Sequence, residues 1–140
     1  NRPLKRMPSY GPMPLNSAST KINNLNHLLK PCACCRCLNC EDIDLPYEQL
    51  ENSERTAVEN AENIHFRRYQ PGGFLDWHPA LRRQYVITLE GQVEVGLGDS
   101  TKRVFGSGDV LLADDLTGRG HTTAVYGDKV RISVAIPVIN

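Results

Sequence analysis

Apolar and polar residues alternate with a period of two through most of the chain after residue 60, which is the pattern of half-buried strands. Ile64–Gln70 reads as a strand stopped by Pro71-Gly72-Gly73, and Phe74–Ala80 as the next. Gln84–Glu90 leads into a turn at Gly91, after which Val93, Val95 and Leu97 share one face of a further strand. Gly98-Asp99-Ser100 signals a hairpin to Thr101–Phe105, and Gly106-Ser107-Gly108 introduces Asp109–Ala113. His121–Tyr126 and Val130–Val138 follow, joined at Gly127-Asp128. About eight short strands at this spacing, with no long helix between them, predict a sandwich or barrel. Alternation further predicts that Val93, Val95, Leu97, Ile132, Val134 and Ile136 line the inner core.

The earlier part reads differently. Ile43–Tyr47 has the pattern of a short edge strand limited by Pro46, and Tyr47 to Asn63 that of a loop with a helical turn near Ser53–Val58. Residues 1–31 hold five of the nine prolines, with Asn, Ser and Lys, and too few large apolar side chains to offset the entropy of ordering them. Residues 1–41 are therefore expected to form a disordered tail, dispensable for folding, with at most a helical turn within Asn23–Lys30. The domain proper is expected over 42–140.

Composition narrows the partners. Lys+Arg and Asp+Glu each total 16, so no surplus of charge points to nucleic acid or to an anionic membrane. No apolar run approaches the ~18 residues of a membrane span, and no secretory signal is evident, so a cytoplasmic location is expected. Cys32, Cys34, Cys35, Cys37 and Cys40 fall within one short stretch. Closely spaced thiolates suit zinc or copper. No second Cys/His cluster follows at zinc-finger spacing, and an odd count with adjacent cysteines argues against a disulfide framework. The cluster is expected to have no specific role.

Candidate chemistry concentrates in Gly72 to Gly91, GGFLDWHPALRRQYVITLEG. Gly72, His78, Gln84 and Gly91 stand at the spacing of the first sequence motif of the cupins, small jelly-roll proteins that usually hold a metal inside the barrel. Ala80 stands where that motif has its second histidine, and Gln84 where it has glutamate. A second segment, GDVLLADDLTGRGH from Gly108, resembles the second cupin motif, with two extra residues before Gly118 and His121 and with Val125 at the closing asparagine position. The resemblance implies an all-β antiparallel jelly-roll barrel in which His78, Gln84 and His121 converge, with Ala80 beside them. It implies these three as ligands of one divalent transition metal (Fe, Zn, Ni, Cu or Mn), and a metal-free pocket is equally compatible with the altered residues.

Strand alternation places Asp76 on the face of His78, Thr88 on that of Gln84, and Thr123 on that of His121. Asp76, Thr88 and Thr123 are therefore candidate ligand-binding groups, and Asp76 the acid placed to complete a metal shell. Trp77 is expected to pack. Arg82-Arg83 lie in the turn near the barrel mouth, within reach of an anionic substrate, and alternation with Ile64 and Phe66 points Arg68 inward. His27 and His65 have no expected role.

Two functions remain open at this point. One is a metal-dependent enzyme (dioxygenase, isomerase or decarboxylase type, as among cupin relatives) on a small organic acid or sugar-like molecule. The other is a non-catalytic module that binds a small molecule without metal. The absence of a helix-turn-helix argues against a regulator of transcription. A homodimer is compatible with the resemblance, because relatives often add an N-terminal strand to a partner barrel.

Overall fold

The computed structural model describes residues 26–31 and 38–139. Among them are twelve strands and no helix: β1 (Asn26–Pro31), β2 (Leu38–Asp42), β3 (Tyr47–Gln49), β4 (Glu54–Thr56), β5 (His65–Tyr69), β6 (Phe74–His78), β7 (Gln84–Glu90), β8 (Gln92–Gly96), β9 (Lys102–Phe105), β10 (Val110–Ala113), β11 (His121–Tyr126) and β12 (Arg131–Pro137). No helix long and apolar enough to cross a membrane is present among these residues.

Two sheets carry the architecture. One has six strands in the order β2-β1-β10-β7-β12-β5, the other four in the order β6-β11-β8-β9; β3 and β4 pair apart from both. Hydrogen bonding does not join the two main sheets into a closed barrel, so the jelly roll is a sandwich. Leu29, Val86 and Leu111 from the larger sheet pack with Val93, Val95 and Phe105 from the smaller, joined by Leu97 just past β8. Each is apolar on the inward side of a pleated strand, and this shared burial is what holds the two layers together.

Three expectations are revised. The sheet reaches back beyond residue 42: β1 pairs in parallel with β10 through Leu29↔Ala113 and antiparallel with β2. Leu29 is 0% exposed, so one well-placed leucine docks a segment whose average composition is that of a tail. The helical turn expected within Asn23–Lys30 is strand from Asn26 onward, and residues 1–25 and 32–37, with Cys32 to Cys37, lie outside the described residues. The second revision is small: β3 covers Tyr47–Gln49 and pairs with β4 where a helical turn was expected near Ser53. Its Pro46 precedes the strand, where a missing N–H costs no ladder bond.

The third concerns β12. Ser133 and Ala135 pair with Thr88 and Val86, and Arg131 and Ser133 with Tyr69 and Arg67 of β5, all on the inward side. Ile132, Val134 and Ile136 therefore take the other face, where Val134 is still buried, as expected, between its ladder partners Ile87 and Phe66, while Ile132 and Ile136 are partly exposed. The strand does alternate, but its polar and small residues face the cavity and its larger apolar ones lie on the other side, so the apolar face is not the inner one here. Val93, Val95 and Leu97 are buried in the core as expected.

Candidate functional site

The site is built on the pairing of β6 with β11. His78 lies directly across from His121, but the next matched pair is Leu75 with Thr123, so β6 carries one residue more than β11 over this interval. Such a bulge breaks strict alternation, turning Leu75 and His78 to the same side and Asp76 away from it. Just before β11, Gly120 adopts φ +76° against the carbonyl of His78, where a Cβ would overlap that carbonyl. The closest backbone approach in the site thus requires glycine. It lets the two imidazoles meet with ring centroids 4.5 Å apart, at 56° between planes.

Both rings are oriented through Nδ1. His78 Nδ1–H donates to the Asp76 carbonyl at 2.6 Å, and His121 Nδ1–H donates to Asp115 Oδ2 at 2.7 Å. Asp115 is 0% exposed, and its carbonyl accepts from the Ala80 amide, which ties the loop before β11 to the loop after β6. Neither Nε2 has a hydrogen-bond partner among the described residues. Each is an available acceptor or base whose tautomer is set by its anchored neighbour.

The two histidines line a cavity of about 210 Å³ between the sheets. Val86, Val93, Val95 and Leu111 give it an apolar floor, while Arg67, Gln84 and Arg131 give it polar walls. No aspartate or glutamate lines it. Arg67 donates from Nε to His65 Nε2 at 3.0 Å and from Nη2 to Gln84 Oε1 at 3.4 Å, both neutral acceptors. Arg131 is 5% exposed, its one hydrogen bond is a 3.5 Å contact from Nη2 to Thr88 Oγ1, and its buried Nε is unpartnered. A second chamber of about 150 Å³, lined by Phe74, Leu75 and Val125, shares Tyr69, Thr123 and Arg131 with the first.

Burial pushes Arg131 down to about 10, with the Tyr69 phenol opposing that shift and the Arg67 charge adding to it. The unfolded chain, with Arg131 at the ordinary guanidinium value, binds the proton more tightly than the folded one. The charge therefore penalises folding in full below pH 10, and the penalty fades as pH rises from 10 toward the ordinary guanidinium value. Unfolding free energies of the protein and of Arg131→Met should converge over that interval. A gap unchanged across it would mean that Arg131 is better solvated than its surroundings allow.

The candidates from the sequence fall as follows. His78, Gln84, His121, Ala80 and Thr123 all line the cavity. Asp76 does not: it is exposed and accepts a hydrogen bond from the Trp77 amide, because the bulge removes it from the face of His78. Thr88 is buried behind the wall, where its hydroxyl meets Arg131. Arg67, not Arg68, faces inward, since the ladder to β12 and not the exposed Ile64 and Phe66 sets the face of β5. Arg82 pairs with Glu62, and Arg83 lies 3.8 Å from both Glu59 and Asp114, so both turn arginines have carboxylates nearby. Trp77 is half-buried beneath the Arg119 guanidinium, 3.8 Å above its ring centroid. Arg131 and His65 carry no such signal in the sequence, and Asp115 reads there only as a loop acid, six residues before an inward histidine.

Among the described residues no cluster of three or more His, Cys, Asp and Glu side chains is arranged to hold a metal ion. The donor set is two imidazoles and one amide whose oxygen already accepts from a guanidinium. That set does not match the three histidines and carboxylate of the cupin motif, and a fixed cation at the Gln84 position opposes a divalent ion.

No family model and no curated protein matches the chain. Among solved structures, it is similar to an uncharacterized conserved protein with a double-stranded β-helix domain from Klebsiella pneumoniae, at 22% identity and TM-score 0.46 over 66% of this chain and 78% of that one. It is also similar to a cupin domain from Bordetella pertussis (15% identity, TM-score 0.43, 59% of this chain and 93% of that one). A third is the Drosophila melanogaster CENP-C cupin domain (17%, 0.42, 67% and 75%). The fold is a two-sheet jelly roll in which histidines from β6 and β11 face each other, the arrangement that the resemblance of the two motifs to those of the cupins implies.

Proposed function

We propose that the protein binds a small organic molecule in the cavity between its sheets, its polar groups meeting His78, His121 and the polar wall beside them and its apolar body lying on the valine floor. The observation that carries this reading is the convergence of the two rings at 4.5 Å on a cavity of about 210 Å³, each with Nδ1 anchored and Nε2 left over. Concave, mostly apolar sites with a few convergent polar groups are how folds of this kind take small molecules. The Asp115–His121 pair adds the means to accept a proton from such a ligand at Nε2, the buried carboxylate stabilising the imidazolium that results.

A second reading is supported by the same anchoring, because metal-ligating histidines also donate their second ring nitrogen to a carboxylate or carbonyl. In it His78, Gln84 and His121 would hold a divalent transition metal against the Arg67 charge, and the metal would supply Lewis-acid chemistry. Binding of a small-molecule library, followed by ligand-observed NMR on the full chain, separates the two. The first reading expects hits without added metal that vanish in His78→Ala/His121→Ala while the fold is retained. It fails if the double variant keeps every hit. The second expects zinc affinity, measured by chelator competition, to rise in Gln84→Glu as a carboxylate replaces the amide. Zinc affinity equal in the protein and in Gln84→Glu removes it.

A further inference from the structure

A positive charge buried without a counter-charge is costly, and folds tolerate it where something else supplies the balance. Arg131 is such a charge. No carboxylate lies within ion-pair distance of it among the described residues, its Nε is orphaned, and the Ser133 hydroxyl two residues along the same face is buried and unpartnered too. Arg67 shares the cavity, also with only neutral partners, and its charge works against that of Arg131. Two guanidiniums and two imidazoles thus line one small space, and the Asp115 carboxylate is engaged with His121 rather than with either arginine.

We propose that the cavity is an anion site whose ligand is a small monocarboxylate with an apolar body, its carboxylate seated between Arg131 and Arg67. This rests on the small-molecule reading above and names the chemical class of the ligand. Guanidinium groups match carboxylate oxygens in geometry as well as charge, and the match strengthens as water is excluded. The apolar remainder has two places to go: the floor of Val86, Val93 and Val95, or the side chamber lined by Phe74, Leu75 and Val125, which opens beside Arg131. The main cavity has the volume of roughly seven waters, so the acid is short-chained or carries a single ring. Inorganic phosphate shares the oxyanion chemistry but leaves the apolar surface uncovered.

The test is isothermal titration of the full chain at low salt with hexanoate and benzoate, their neutral amides, and inorganic phosphate. The acids should bind, and the amides should bind at least about tenfold more weakly, as expected when a charge-assisted pair is lost. Arg131→Met should remove most of that preference while leaving amide binding in place, and it should melt no lower than the parent. If Arg131→Met does not fold, the half-exposed Arg67→Gln should still narrow the ratio of acid to amide affinity. Acids and amides binding equally overturns the anion site but leaves the small-molecule reading standing. Phosphate binding more tightly than both acids overturns the carboxylate assignment. No binding by any of these, together with a library screen in which the His78→Ala/His121→Ala protein behaves as the parent, overturns both readings.

Discussion

Leu29→Ala lowers the free energy of unfolding by roughly 2–5 kcal/mol, the range for removing a buried leucine side chain that its surroundings cannot replace. The side chain is 0% exposed and sits in the cluster with Val93, Val95 and Phe105 that joins the two sheets. Its strand is held on one side by β10 and on the other by β2, so the neighbours have little freedom to close the gap. Chemical denaturation with an unchanged m-value measures the effect. A loss below about 1 kcal/mol would show that β1 does not stay docked in solution, and would return the domain boundary to near residue 42. Deleting residues 1–42 is the larger version of the same change. It uncovers β10 as an edge strand and strips the core of Leu29 at once.

Gly120→Ala is expected to cost about 3 kcal/mol or more, and to abolish binding in the cavity. One part is conformational: an L-residue at φ +76° costs about 1–2 kcal/mol. The other is steric, because the new methyl overlaps the His78 carbonyl, a backbone atom that cannot turn aside, and such overpacking costs about 1–3 kcal/mol. Gly127→Ala is the internal control. Its φ is +83° with nothing near the added methyl, so it carries the first cost without the second. The two variants losing the same stability would mean that β6 and β11 move apart freely at His78. In that case the 4.5 Å approach of the histidines is not enforced by the backbone, and their joint role in a site is weakened.

How much of this was legible in the sequence depends on how local each signal is. Strands β5 to β12 follow from alternation and from glycine turns, which act over a few residues. His78, Gln84 and His121 reach the cavity because motif spacing encodes where they sit on those strands. Asp76 was misplaced because a bulge is a property of a strand pair: the extra residue in β6 exists only relative to β11. Alternation points to Arg68 rather than Arg67 because its apolar neighbours Ile64 and Phe66 are exposed at the sheet edge, where hydrophobicity says little about facing. Arg131 was invisible for a different reason. It opens a strand of apolar residues, and nothing local distinguishes a buried arginine from a solvated one until its partners across the ladder are known. The β1–β2 segment is hidden by averaging, since a proline-rich composition outweighs the one leucine that matters.

The parallel pairing of β1 with β10 also orders events in time. Asn26 and Val110 are roughly eighty residues apart, so during synthesis the first strand leaves the ribosome long before its partner exists. The hairpins β8–β9 and β1–β2 join near neighbours and close quickly, but β1–β10 must wait while a long loop pays its closure entropy. Until then Leu29 has no core to enter, and β10 has one open side. In the finished protein the same seam is where opening costs least sequence-local structure. Hydrogen exchange at the amides of β1 and β10 should therefore register a shared opening that precedes global unfolding, while the β7–β12 ladder stays protected to the end.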